Sequence, residues 1–235
     1  MTAVFAAGKR QEAKKTGAKW HWLWVIPVIA LLAVAAFSIF RPIQVLPRIT
    51  LAPGYSLTDQ NGEALTSEDM RGKITLYTFT YTNCTEPCVQ TTGLLQEVQA
   101  RLNEIDNGDV PIQFVTISVD PEHDTTAVLT EFANQLGADP NIWHFVTGDV
   151  TRLKWVIGGG FGLYFGQRDD GSIILDSGYT LVDGAGIIRA DYRLYNPDVD
   201  IILRDLRLLV EESQNSEGAA RYAYEAAHLF LCYPR

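Results

Sequence analysis

Cysteine is scarce in this chain: 235 residues hold three, at positions 84, 88 and 232. Three are too few for a disulfide-built scaffold, so the core has to come from apolar burial, which a 47% hydrophobic composition can supply. No second cysteine pair exists to complete a four-ligand zinc site. Histidine is almost as sparse, at His21, His123, His144 and His228 only. Basic charge is short as well. Five of the 19 Lys and Arg but one of the 28 Asp and Glu precede Arg41, leaving 14 bases against 27 acids, a net charge of −13, from Arg41 onward. That balance argues against nucleic acid as a partner and favours a basic protein or a cation. No repeat or low-complexity tract is present, and no nucleotide cofactor is expected.

Charge is missing altogether from Trp22 to Phe40, a run of 19 residues interrupted only by Pro27 and Ser38. The length suits a bilayer core, and Trp20, Trp22 and Trp24 suit its interface. Lys9, Arg10, Lys14, Lys15 and Lys19 place the N-terminus in the cytoplasm by the positive-inside rule. The Ala-x-Ala at 33–35 lies inside the apolar run rather than beyond it, so an uncleaved anchor is expected over a cleaved signal peptide. The expected organisation is a cytoplasmic 1–19, a single membrane span 20–40, a proline-marked linker 41–53, a folded extracytoplasmic domain 54–213 and an apolar C-terminal helix or tail 214–235. This makes it a single-pass protein of the cell membrane.

Within the folded part, strands and helices alternate. Ile74–Thr80 reads as a strand and 86–105 as a helix. Ile112–Val119 has the continuous apolar pattern of a buried parallel strand, followed by a helix over 124–136. Trp143–Val146 is a short strand, and Val150–Ile157 a short helix closed by Gly158-Gly159-Gly160. Tyr179–Val182 and Ile187–Tyr192 flank the turn Asp183-Gly184-Ala185-Gly186, and a last domain helix spans 198–212. The fold class is α/β, a thioredoxin-like central mixed sheet flanked by helices, with one N-terminal transmembrane helix. Right-handed crossovers bring Cys84 and Asp120 to the same edge of that sheet.

Cys84 and Cys88 stand four apart where a strand gives way to a helix. Two sulfurs on a first helical turn can close a disulfide or grip a soft metal such as Cu(I). Unpaired N–H groups of the helix start favour thiolate, Pro87 and Thr85 suit its first positions, and Glu86 between the thiols opposes ionisation. A disulfide closing so short a loop removes little chain entropy, which favours function over structural bracing. A third copper donor has few sources. His123 sits in a loop on the cysteine edge, His21 at the membrane edge and His144 within a strand. His228 and Cys232 are four apart on the C-terminal helix.

These motifs together resemble the Sco/SenC family of membrane-anchored, thioredoxin-like proteins, over about residues 50–212. The resemblance rests on Cys84-x-x-x-Cys88 after Thr78-Phe79-Thr80-Tyr81-Thr82, and on Ser118-Val119-Asp120-Pro121-Glu122-His123-Asp124-Thr125. Trp143-His144-Phe145-Val146-Thr147-Gly148, Phe161-Gly162-Leu163-Tyr164-Phe165 and Leu181-Val182-Asp183 add to it. It implies copper delivery and thiol redox in assembly of cytochrome c oxidase, with a subunit of that or another respiratory complex as partner. Cys84 and Cys88 are then both redox dithiol and metal ligands. Two departures stand out. Thr85 occupies the place where the family has proline, and the family's copper-binding histidine has no counterpart in Ile174-Leu175-Asp176-Ser177-Gly178-Tyr179. Asp176 or His123 is left as the third ligand, and carboxylate is a harder donor than imidazole. Two further readings stay open: a copper-independent thiol–disulfide oxidoreductase, and an accessory subunit whose Tyr222, Ala226, Leu229 and Tyr233 form a docking stripe.

Overall fold

A computed structural model describes residues 20–40, 43–84, 88–176, 178–193 and 197–230. The chain divides into two compact units at Pro42/Ile43. The first contains helix α1, Trp20–Phe40, 21 residues with Pro27 inside and no charged side chain. Among residues whose side chains are described, no helix is long and apolar enough to cross a membrane; the side chains of 20–23, 33 and 37–40 of α1 lie outside that set.

The second unit is built on an eight-stranded mixed sheet. Its strands are β1 (Thr50–Leu51), β2 (Ser56–Asp59), β3 (Ala64–Thr66), β4 (Ile74–Thr80), β5 (Ile112–Ser118) and β6 (Trp143–Thr147), with β9 (Tyr179–Val182) and β10 (Ile187–Tyr192). A separate ribbon pairs β7 (Phe165–Gln167) with β8 (Ile173–Leu175). The order across the large sheet is β1-β10-β9-β4-β5-β6-β2-β3, with β4, β5 and β6 parallel. All seven positions of β4 and of β5 are buried, because the sheet is covered on both faces. This is the thioredoxin-like α/β arrangement expected from the alternating pattern.

The helices are α2 (Cys88–Ala100), α3 (Thr126–Gln135), α4 (Val150–Leu153), α5 (Val199–Gln214) and α6 (Gly218–Phe230). One face of the sheet packs Leu94, Leu95 and Val98 of α2 and Ile202, Leu206 and Leu209 of α5 against Leu76, Phe114 and Leu181. In α5 the buried positions recur every three or four residues, and Asp198 caps its start by accepting from the Asp200 amide. Tyr77, Phe79 and Ile117 meet Val156, Ile157 and Phe161 on the other face.

Three segments differ from the sequence-based expectation. Residues 43–53 do not form a free tether: Val45 and Leu46 are fully buried, and β1 pairs with β10. Burying a leucine contributes about 2 kcal/mol, which outweighs the extended bias that the prolines give an isolated chain. The three glycines do not stop the helix after α4. It continues as a π-helical turn over Lys154–Phe161 and ends at Gly162, whose φ of 67° is left-handed. Helix α2 ends at Ala100 rather than 105, and a 3-10 turn, Leu102–Glu104, follows.

Candidate thiol site at the carboxyl edge of the sheet

Parallel strands β4 and β5 pair in register to their last residues, Thr80 opposite Ser118, and the Val119 amide donates to the Thr80 carbonyl at 2.9 Å. The two following loops therefore leave the sheet side by side. The first folds into a turn in which the Cys84 amide donates to the Tyr81 carbonyl at 3.1 Å, and α2 begins at Cys88. Antiparallel β9 enters beside β4 with Tyr179 opposite Thr78, so Gly178 arrives at this same edge. Thr78 Oγ1 donates to the Gly178 carbonyl at 3.3 Å. A side chain at 178 would meet the Tyr192 carbonyl oxygen at 2.9 Å, which is why glycine stands there. The Tyr179 hydroxyl donates to the Thr91 carbonyl at 2.9 Å and pins the start of α2. Burial of that phenol raises its pKa, so it stays a donor.

Asp124 joins the two loops. Its side chain is 0% exposed, and its Oδ2 accepts from the Thr82 amide at 3.0 Å. The Ser118 hydroxyl also donates to Oδ2, and the Thr82 hydroxyl donates to Oδ1. A buried carboxylate is costly without donors, and three hydrogen bonds offset that cost. Nothing in the sequence periodicity marked this residue for a role; two hydroxyl residues flanking a buried acid leave no pattern at helical or strand spacing.

Cys84 is half-buried and stands in a disulfide. The Cys88 side chain and Cys232 lie outside the described residues, as does Glu86. His123 Nδ1 bonds to both Asp120 oxygens, at 3.0 and 2.8 Å, and 63% of its side chain is exposed. That hydrogen bond and the Asp120 charge raise its pKa. Asp176 is exposed; its Oδ2 accepts from the Tyr164 amide at 3.2 Å, and its own amide donates to the Tyr164 carbonyl at 2.8 Å. Among the described residues, no three His, Cys, Asp or Glu side chains converge to hold a metal ion.

His144 and His228 serve packing. His144 Nε2 meets Gln113 Oε1 at 2.9 Å, and burial lowers its pKa. His228 Nε2 meets Glu212 Oε1 at 2.9 Å, so it is tied to α5. Ala227 is fully buried and Arg48 bonds Glu225, so α6 folds back on its own domain. Tyr222 and Leu229 face outward, 78% and 77% exposed.

The SCO1/SenC family model matches residues 45–211, which include the cysteine loop, the Asp124 loop and the segment through Asp176. The chain belongs to the SCO1/SenC family. It is 26% identical over 156 residues to a SCO1 protein homolog of Bacillus subtilis, covering 65% of this chain and 79% of that protein. Among solved Sco structures, Bradyrhizobium japonicum ScoI with copper bound is 27% identical, with a TM-score of 0.56 over 68% of this chain and 99% of that one. BsSco, described as a member of the Sco family of cytochrome c oxidase assembly proteins with a disulfide switch, shares the fold. Its TM-score is 0.62 at 22% identity, covering 74% of this chain and 98% of that one.

Proposed function

We propose that this Sco protein delivers Cu(I), and exchanges thiol redox equivalents through the same sulfurs, during assembly of a respiratory oxidase of the cytochrome c oxidase type. One observation carries the reading: Cys84 stands in a disulfide on the strand-to-helix loop at the carboxyl edge, four residues before the cysteine that opens α2. We take Cys88 as its partner. Reduction turns the pair into two thiolates, soft donors suited to Cu(I) as cargo. The family match and the copper-bound ScoI relative support this.

Copper would be held by the two sulfurs, since thiolates are the soft donors that select Cu(I) and the Asp176 carboxylate is a hard one, with a third donor supplied by the receiving protein. The uncharged 21-residue helix Trp20–Phe40 and its basic N-terminal flank support a single-pass anchor with the thiol domain on the extracytoplasmic side. The acidic domain suits a basic face on the partner.

A second reading is favoured by the disulfide itself: a thiol–disulfide oxidoreductase that keeps partner cysteines reduced without copper. Anaerobic titration of the full chain with Cu(I) against a competing chelator separates the two. The expected outcome is one Cu(I) per reduced chain and none per disulfide-bonded chain. A reduced chain that takes up no copper but exchanges with a cysteine-bearing peptide would replace the first reading with the second.

A further inference from the structure

We infer that Asp124 is a positioning residue that sets how readily the Cys84 disulfide is reduced, by clamping the cysteine loop to the loop that follows β5; this rests on the dithiol reading above. Thr82 lies two residues before Cys84, and both its amide and its hydroxyl donate to Asp124. The turn closed by the Cys84 amide on the Tyr81 carbonyl encloses Thr82. Asp124 in turn is fixed from the far side. It is wholly buried, its amide donates to the Asp120 carbonyl at 2.8 Å, and Ser118 at the end of β5 donates to its carboxylate. A carboxylate can accept all three donors at once, which alanine cannot do.

Held this way, the loop presents Cys84 where its disulfide is already formed. Preorganisation of that kind raises the effective concentration of one sulfur at the other. In the exchange step an external thiolate attacks a sulfur of the disulfide. The S–S bond breaks, a mixed disulfide forms, and the released sulfur leaves as thiolate and takes a proton. A second thiol of the reductant then resolves the mixed disulfide. Loosening the loop lowers the tendency of the two protein thiols to close again, so the equilibrium moves toward dithiol.

Asparagine keeps the clamp. Its oxygen accepts from the Thr82 amide and Ser118 while its amide group donates to the Thr82 hydroxyl turned round, so only the charge is lost.

The test is equilibration of the full chain with dithiothreitol buffers of graded ratio, reading the fraction of disulfide by thiol alkylation. Asp124→Ala and Thr82→Val are expected to lower the disulfide-forming equilibrium constant about tenfold, a shift of about 30 mV for a two-electron couple. Asp124→Asn stays within about twofold of the unmodified chain on the same scale. Ser118→Ala is the control: it removes one bond to the same carboxylate, but both Thr82 bonds and the bond from the Asp124 amide to Asp120 remain, so stability falls while the loop stays clamped and the equilibrium holds. If Asp124→Ala does not fold, Thr82→Val against Ser118→Ala decides alone. Equal equilibrium constants for Thr82→Val and the unmodified chain, or an equal shift in Ser118→Ala, would overturn the inference. A disulfide in the unmodified chain that never exchanges with dithiothreitol would instead sink the dithiol reading beneath it.

Discussion

Arg189 and Glu212 form a two-pronged ion pair inside the protein, Nη1 to Oε1 at 3.2 Å and Nη2 to Oε2 at 2.7 Å. The same guanidinium reaches Asp183 and the Leu46 and Pro47 carbonyls, so one side chain ties β10, the hairpin turn, α5 and the segment before β1. Glu212 also accepts from His228 and thereby holds α6. Burial is the largest influence on the Glu212 carboxyl and acts to raise its pKa. The hydrogen bonds from His228 and Arg189 together outweigh burial and bring it down to about 2. A depressed carboxylate contributes stability above its unfolded value, near 4.5, and loses that contribution as pH falls through about 2. Glu212→Ala should cost about 3 kcal/mol at neutral pH, since it removes the two-pronged partner of a buried cation and leaves it with Asp183 as its remaining carboxylate. Urea unfolding across pH checks both parts: the gap between variant and parent closes over the window from 4.5 down to about 2. A gap independent of pH would contradict the role given to this carboxylate.

The two histidines of the thiol domain's sheet region should titrate on opposite sides of the ordinary histidine value. His123 is raised by its hydrogen bond to Asp120, and His144 is lowered by burial. Imidazole proton shifts followed by NMR across pH will show His123 losing its proton last. Asp120→Asn should bring His123 back toward the ordinary range and leave His144 unmoved. The reverse order would mean that the Asp120–His123 pair does not form in solution.

Gly160 is held against Pro53. A Cβ placed there would lie 2.3 Å from the Pro53 Cβ and 2.5 Å from its Cγ, and a proline ring has little freedom to move aside. Gly160→Ala is expected to destabilise by about 1–3 kcal/mol through overpacking. Helix propensity returns up to about 1 kcal/mol of this. At Gly159 the nearest atom is Trp155 Cε3 at 3.8 Å, so Gly159→Ala should be neutral or stabilising. Paired urea midpoints for the two variants read the difference directly.

Much of the sheet was legible in the sequence because β4 and β5 are buried along their whole length and β9–β10 carry a hairpin turn. The β7–β8 ribbon was not. Its strands are three residues each, Gly166 interrupts one, and Arg168, Asp169 and Asp170 sit between them. Segment 43–53 reads as linker by its prolines, and only the tertiary burial of Val45 and Leu46 shows otherwise. At the site, the cysteine spacing and the Sco resemblance located the chemistry. What holds Asp176 in place was not legible. That depends on hydrogen bonds such as Tyr164 to Asp176, between partners 12 positions apart.

The central claim is that two sulfurs, and neither Asp176 nor His123, hold Cu(I). The affinity of the reduced chain for Cu(I), measured by competition with a chelator for Cys84→Ala, Asp176→Ala and His123→Ala, tests it most directly. Loss of binding in Cys84→Ala alone, with the other two within about threefold of the parent (under 1 kcal/mol), is the predicted result. A loss in Asp176→Ala or His123→Ala comparable to that in Cys84→Ala would contradict it.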